Sequence, residues 1–301
     1  MDWKSAMAGY KASLALEKGL SVNSIQAYLT DVRKLRDFSE KRLDNKSPLL
    51  IDLHDLLSFV AGLEEYHLDV RSQSRVISGI RSFFSYLLLE NLIKDDPSEM
   101  LETPKLGQYL PSVLSIDEVE ACIKVIHDQS DYALRDRVIL EVLYACGLRV
   151  TELVQLCWSQ IVWDPGLVKV KGKGNKERIV PIGSLALQSL QILKENPPIE
   201  SQPGHEDFVF LNCFGKKLSR ISVFKMVKKY ASMAGIQKSM SPHTFRHSFA
   251  THLVEAGANL RIVQTLLGHE SITTTEIYTH LDLNYLRETI LNCHPAQKWK
   301  L

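Results

Sequence analysis

The last third of the chain gathers residue types that handle protons and anions. They fall in three clusters: Ser241-Pro242-His243-Thr244-Phe245-Arg246-His247, Leu267-Gly268-His269-Glu270, and Thr275-Glu276-Ile277-Tyr278-Thr279-His280. Ser241-Pro242 reads as a helix entry, with serine as cap and proline at the first helical position. From that start His243, Arg246, His247 and Ala250 share one face at i, i+3, i+4 and i+7, and Phe245, Phe249 and Leu253 take the opposite one. Two imidazoles and a guanidinium at a helix N-terminus, where the macrodipole favours negative charge, outline a phosphate site. A tyrosine following so many such groups suggests a nucleophile at Tyr278, although a buried ring with a hydrogen-bonded hydroxyl is the plainer account of any single tyrosine. The spacing of four between His243 and His247 also suits a metal ion. Against that, no carboxylate lies between them, and Arg246 would set a positive charge beside the cation. Leu260 to Leu267 reads as a short helix closed by Gly268, with another opening at Ser271, which equally fits a helix-turn-helix DNA reader that needs no reactive tyrosine.

Partners for this cluster are found about a hundred residues earlier. Asp131 to Cys146 carries a helix, apolar at Val138, Ile139, Val142 and Leu143, and Gly147 is placed to end it in a left-handed cap. Leu148-Arg149 then sits in a tight bend before a new helix at Thr151, so the bend fixes where Arg149 points. Downstream, Gly166 to Lys171 alternates, Gly172-Lys173-Gly174-Asn175 is turn chemistry, and Glu177 to Ile182 alternates again, a β-hairpin with Lys173 at its tip. Lys169, Lys171, Lys173, Lys176 and Arg178 surround that turn with only Glu177 opposing them, the most basic local patch in the chain, though a merely soluble hairpin fits as well. The Gly-Lys-Gly here lacks the spacing of a phosphate-binding P-loop.

The elements that must position these groups are mostly helical. The first ~105 residues read as helices over Ser21 to about Glu40, Ile51 to Leu63, and about Ser72 to Leu92, the last with Arg71, Arg75 and Arg81 near its start. Ser21 is placed as an N-cap. Asp96-Pro97, Thr103-Pro104, Gly107 and Leu110-Pro111 then crowd together, where prolines remove donors and disfavour helix. The expected division is therefore a domain at 1–105, a linker at 106–111 and a second domain at 112–301. After the linker, Ser115-Ile116-Asp117-Glu118 looks like a cap entering a helix, and Phe208 to Leu211 looks strand-like.

Composition sets the outer bounds. With 301 residues, 45% apolar and 24% charged, the chain suits two ordinary globular domains. No apolar run approaches the ~20 residues of a membrane helix, and the start lacks a signal-peptide pattern, so the cytoplasm is the expected location and no membrane partner is expected. Net charge is +1, so any DNA contact must come from local charge placement. The five cysteines, at 122, 146, 157, 213 and 293, show no Cys-x-x-Cys pair and read as buried thiols in a reducing compartment.

Taken together, Gly147-Leu148-Arg149-Val150-Thr151-Glu152-Leu153, Gly172-Lys173-Gly174-Asn175-Lys176-Glu177-Arg178, Pro242 to Leu253 and Leu266 to His280 resemble the tyrosine recombinases of the phage-integrase family, most closely the bacterial Xer type. The match runs nearly the length of the chain. The resemblance implies a mainly α fold with a small β-hairpin sheet in the catalytic domain. A SAM-like N-terminal core-binding domain and a C-terminal catalytic domain would form a C-shaped clamp on DNA. Residue by residue, it implies Tyr278 as nucleophile, Arg149 and Arg246 as the clamp on the non-bridging oxygens, and His243 and His269 as further hydrogen-bond partners. Lys173 would be the acid at the leaving 5′-oxygen, and Glu152 a support for the arginines. Arg71, Arg75, Arg81, Lys171, Lys176 and Arg178 become candidate DNA contacts. That leaves His247, His252 and His280 in supporting roles.

These roles make physical sense: a phosphorane gathers charge on equatorial oxygens, planar guanidiniums match that geometry, and two of them can replace a metal ion. No cofactor, metal or ATP is expected, because the phosphodiester is exchanged rather than hydrolysed. The implied partners are a double-stranded recombination site, a homo- or hetero-tetramer with another recombinase protomer, and a DNA translocase as activator. Residues 281–301 would pack on a neighbouring protomer through Leu283, Leu286, Ile290 and Leu291, or else dock on their own domain. The implied role is resolution of chromosome dimers before cell division, with an integrase of a mobile element next. A type IB topoisomerase and a non-catalytic DNA-binding regulator stay open as more distant readings.

Overall fold

Trp3, Ala6, Met7, Tyr10 and Leu14 recur at helical spacing and are all buried, which makes the first element a helix, α1 (Trp3–Leu16), that the sequence reading passed over. Its Asp2 cap accepts from the Ser5 amide at 2.9 Å. The computed structural model describes residues 1–65, 68–104, 112–126, 131–172, 177–268 and 280–299; for residues 64, 65, 280–284 and 298 it describes the backbone alone. The chain divides into two units, Met1–Tyr109 and Leu110–Leu301. The expected linker, 106–111, lies wholly outside the described residues.

The first unit is built from α1, α2 (Val22–Arg42), α3 (Leu53–Glu65) and α4 (Val70–Leu89). Ser21 caps α2 as expected. α4 starts earlier than expected, because Asp69 accepts from the Ser72 amide and supplies the cap. Tyr10 meets Phe83 edge-on with ring centroids 5.3 Å apart, and Trp3 stacks on the same ring, so α4 is the spine of this core. At the crossing of α2 and α4 the buried Asp31 binds Arg75 at 2.6 Å. Gly79 allows that approach, since a β-carbon there would lie 2.9 Å from that of Asp31.

The second unit wraps around α6 (Ala133–Cys146), whose residues from Val138 to Cys146 are all buried. α5 (Ile116–Lys124) opens on a cap where one was expected, and the cap is a capping box, with the Ser115 amide donating to Glu118 Oε2 at 2.7 Å and the Glu118 amide donating to Ser115 Oγ at 3.2 Å. α7 (Val150–Leu153) follows the bend after α6. A three-stranded antiparallel sheet in the order β1 (Ile161–Val162), β2 (Leu167–Lys171), β3 (Glu177–Pro181) pairs Val168 with Val180 and Val170 with Arg178. Next come α8 (Ser184–Glu195), α9 (Arg220–Met233), α10 (Pro242–Glu255), α11 (Leu260–Leu267) and α12 (His280–Cys293). The strand expected at Phe208 to Leu211 is reduced to single bridges, Cys157 with Phe208 and Leu211 with Lys217.

Three further expectations are corrected. Ser241 precedes α10 and Pro242 is at its first position, but the serine hydroxyl accepts no backbone amide; the Ser241 N–H instead donates to Thr244 Oγ1 at 3.1 Å. Cys122 and Cys146 are buried, whereas Cys213 is exposed. Leu286 and Ile290 pack into the core of their own unit rather than offering a free stripe to a neighbour, while Leu291 stays exposed. The side chain of Leu283 lies outside the described residues.

Gly147 ends α6 in the left-handed region at φ 56°, as expected, and a β-carbon there would sit 2.5 Å from Phe249 of α10. The helix end and the α6–α10 contact are therefore the same constraint. Gly235 has a similar φ, +73°, and open space around it. Gly235→Ala should cost about 1 kcal/mol, the strain of a left-handed alanine, and Gly147→Ala about 2 to 4 kcal/mol because overlap with Phe249 is added. Urea titration of both variants checks this; equal losses would show that Phe249 can move aside.

Candidate active site

The carboxylate of Glu152, on the last turn of α7, is 2% exposed and would be unstable there without cations. Three arginines supply them. Arg149 Nη1 donates to Oε1 at 2.9 Å, Arg178 Nη1 to Oε1 at 2.7 Å and Nη2 to Oε2 at 2.9 Å, and Arg246 Nη1 lies 3.8 Å from Oε2. Oε2 also accepts the backbone N–H of Arg149 at 2.7 Å, which locks the bend after Gly147. Burial pushes Glu152 up, but the hydrogen bonds and charge of Arg178, aided by Arg149, outweigh it and hold the group below its ordinary 4.5.

The same three side chains also cap the C-terminus of α11. Arg178 Nε donates to the Leu266 carbonyl at 2.9 Å, Arg246 Nη2 to the Leu267 carbonyl at 2.5 Å, and Arg149 Nη2 to the Gly268 carbonyl at 3.1 Å. Cations at a helix C-terminus satisfy carbonyls that have no partner within the helix. Arg246 closes the ring by donating Nη1 to the Gly147 carbonyl at 2.7 Å. Its burial and the nearby Arg149 draw its pKa down to about 9, against the opposing pull of Glu152, so it is still a cation at neutral pH.

His243, one turn before Arg246 on α10, is exposed, and its pKa is held below 6.5 by desolvation first and then by the charges of Arg246, His247 and Arg149. It therefore meets an incoming anion as a neutral imidazole. His252, from the same helix, is buried, with its Nδ1 2.8 Å from the Tyr144 hydroxyl, a packing role. Two concavities lie away from these arginines, one beside Trp158 and Pro197 and one between α2 and α3.

Residues 112–284 match the phage integrase family, and residues 7–91 match the phage integrase N-terminal SAM-like domain. The chain belongs to the phage integrase family. Among its relatives, a protein named tyrosine recombinase XerD from Listeria innocua is 42% identical over 284 residues, 94% of this chain and 96% of the relative. One of the same name from Chlorobaculum tepidum is 40% identical over 300 residues, 97% of each chain. Two solved structures share the fold. A XerH site-specific recombinase bound to a palindromic difH substrate has TM-score 0.71 and 24% identity over 95% of this chain and 84% of that one. A lambda integrase dimer bound to a COC′ core site has TM-score 0.71 and 19% identity, covering 91% and 97%.

Of the residues expected in this integrase-family site, the structure brings together Arg149, Glu152, His243 and Arg246. Lys173, Lys176, His269 and Tyr278 lie outside the described residues. Lys171 is exposed, 3.7 Å from Glu177, as expected of the basic hairpin face. Arg178 is not: expected among the DNA contacts, its side chain is 7% exposed and faces inward with Val180, Val168 and Val170. In the first unit Arg75 is committed to Asp31 and Arg81 donates to the Leu101 carbonyl, while Arg71 precedes them on the first turn of α4.

The pKa of Glu152 is lowered on folding, so its contribution is fully present above about 4.5 and is lost as pH falls through the lower folded value. Glu152→Gln, which leaves buried guanidiniums without their anion, should destabilise by about 3 to 5 kcal/mol at pH ~7. The gap to wild type should narrow as pH drops to ~4 and below. Urea midpoints across pH test it; a constant gap would mean that the carboxylate charge is not what Glu152 provides.

Proposed function

We propose that this chain is a site-specific DNA recombinase that cuts and rejoins duplex DNA through a 3′-phosphotyrosyl link at Tyr278. The observation that carries the reading is the meeting of Arg149 and Arg246, from motifs far apart in the chain, on one buried carboxylate, with Arg149 one-third exposed to solvent. In that arrangement a non-bridging phosphate oxygen competes with neutral carbonyls for guanidinium donors and wins by its charge. His243 adds a hydrogen bond at the N-terminus of α10, and His269 is assigned a second.

The chemistry balances without a cofactor. The Tyr278 oxygen bonds to phosphorus, its proton passes to a neighbouring acceptor, and the bond from phosphorus to the 5′-oxygen breaks. Lys173, at the hairpin tip, gives that oxygen a proton, as a general acid must when an alkoxide leaves. Attack by the 5′-hydroxyl of another strand reverses each step and rejoins the DNA. The two arginines hold the charge that gathers on the phosphorane oxygens.

The 40–42% identity to proteins named tyrosine recombinase XerD favours resolution of chromosome dimers at cell division over the mobile-element reading. On this account the enzyme works in the cytoplasm as a tetramer, with itself or a second recombinase, on two double-stranded sites, under control of a DNA translocase. Lys171 and Lys176 on the hairpin and Arg71 on α4 are assigned phosphate contacts, which position the duplex without reading its sequence, while Arg75 stays on Asp31.

DNA covalently trapped on the protein in cells supplies the site, and a nicked suicide duplex built on it supplies the assay. Wild type should form an adduct that survives denaturation, and Tyr278→Phe none. An adduct that persists in Tyr278→Phe would sink the assignment, and relaxation of plasmid lacking the site would point to a topoisomerase.

A further inference from the structure

Arg178 has an interaction set that neither a phosphate clamp nor a DNA contact explains. Each of its three nitrogens donates inside the protein: Nε to the Leu266 carbonyl, Nη1 to Glu152 Oε1 and Nη2 to Glu152 Oε2. The parallel pair to the carboxylate is the geometry that only a planar guanidinium provides, and its third nitrogen reaches an element that Glu152 does not touch. The residue therefore ties two otherwise separate parts together, the α7 carboxylate and the last turn of α11.

A second observation is independent of these hydrogen bonds. Gly268 lies flat on Arg178: a β-carbon at Gly268 would stand 3.0 Å from Arg178 Cδ, 3.3 Å from Nε and 3.4 Å from Nη1. Gly268 is also left-handed, at φ +65°, and its carbonyl is the one that Arg149 holds. Arg178 is thus the floor under the turn whose carbonyls, Leu267 and Gly268, receive Arg246 and Arg149.

We propose that Arg178 is a positioning residue for strand cleavage: it fixes Glu152 and the α11 terminus so that Arg149 and Arg246 stand ready as a rigid pair of forks for the scissile phosphate. It does not touch the DNA. Its buried charge also offsets Glu152, so that Arg149 and Arg246 keep their own charge for the phosphate. The inference rests on the recombinase reading and extends it to a residue outside the expected catalytic set.

The test uses the full chain and the nicked suicide duplex recovered as above. Arg178→Lys keeps a buried cation but cannot bridge Glu152 and Leu266 together; Arg178→Met removes the charge. Arg178→Lys should stay folded by circular dichroism and bind the duplex with wild-type affinity and salt slope. It should form the covalent adduct about tenfold or more slowly, as expected when preorganised donors are loosened. With a methylphosphonate at the scissile position, which carries no charge for the arginines to hold, the gap between variant and wild type should shrink by about threefold or more. Arg178→Met should be slower still or unfolded.

Four results overturn the inference. An adduct rate in Arg178→Lys equal to wild type removes it alone. A salt slope reduced by about 0.9, with uniformly weaker binding, makes Arg178 a phosphate contact instead. A rate loss equal to the loss of folded protein, unchanged by methylphosphonate, makes it structural only. No adduct with wild type removes the recombinase reading, and this inference with it.

Discussion

One buried carboxylate with too many cations around it sets the terms for the catalytic unit. Glu152 cannot lose its charge without leaving Arg149, Arg178 and Arg246 to repel one another, and the arginines cannot leave without exposing a buried anion to apolar surroundings. Each element of the unit is arranged to keep the four together. Gly147 turns the chain so that Arg149 enters the bend, β3 aims Arg178 inward, and α10 lays Arg246 over the end of α6. Three successive carbonyls of α11 take the donors that Glu152 leaves over. The hydrophobic core around α6 and Phe249 holds these segments at the required spacing.

That arrangement bears on the chemistry proposed for the chain. A site that must stabilise negative charge gains most from donors already in place, because nothing need reorganise when the charge develops. The excess of guanidinium over carboxylate, and the tension that draws Arg246 to about 9, are both relieved by an arriving phosphate. The free protein is in this sense already charged for its substrate. Desolvation first, and the same excess of positive charge second, hold the pKa of His243 below its ordinary 6.5, so it does not add to the repulsion.

Much of this was legible in the sequence, because glycines and caps carry local rules. Gly147 and Gly268 both end helices in the left-handed region, and Ser21 and Ser115 both cap where their spacing places them. The pairing of Arg149, Glu152, His243 and Arg246 depended on motif resemblance, since no spacing rule joins residues so far apart. Arg178 departs from the charge pattern of the hairpin because side chains alternate along a strand: Val168, Val170, Arg178 and Val180 share the inward face, and Lys169 and Lys171 the outward one. α1 is less legible because polar residues interrupt its apolar stripe of Trp3, Ala6, Met7, Tyr10 and Leu14. Two buried residues of α12 show why an amphipathic stripe does not name its own partner: Leu286 and Ile290 pack into the core of their own unit.

The central claim is that the arginine cluster is assembled before DNA arrives and that only its outer members change partner. The most direct measurement is nuclear magnetic resonance of the guanidinium groups of Arg149, Arg178 and Arg246, following rotation about the Nε–Cζ bonds with and without a duplex carrying the target phosphate. All three should be rotationally restricted in the free protein, Arg178 should be unchanged by DNA, and the signals of Arg149 should shift as it trades the Gly268 carbonyl for phosphate. Free rotation of Arg178 and Arg246 in the absence of DNA, with ordering only on binding, would contradict the account.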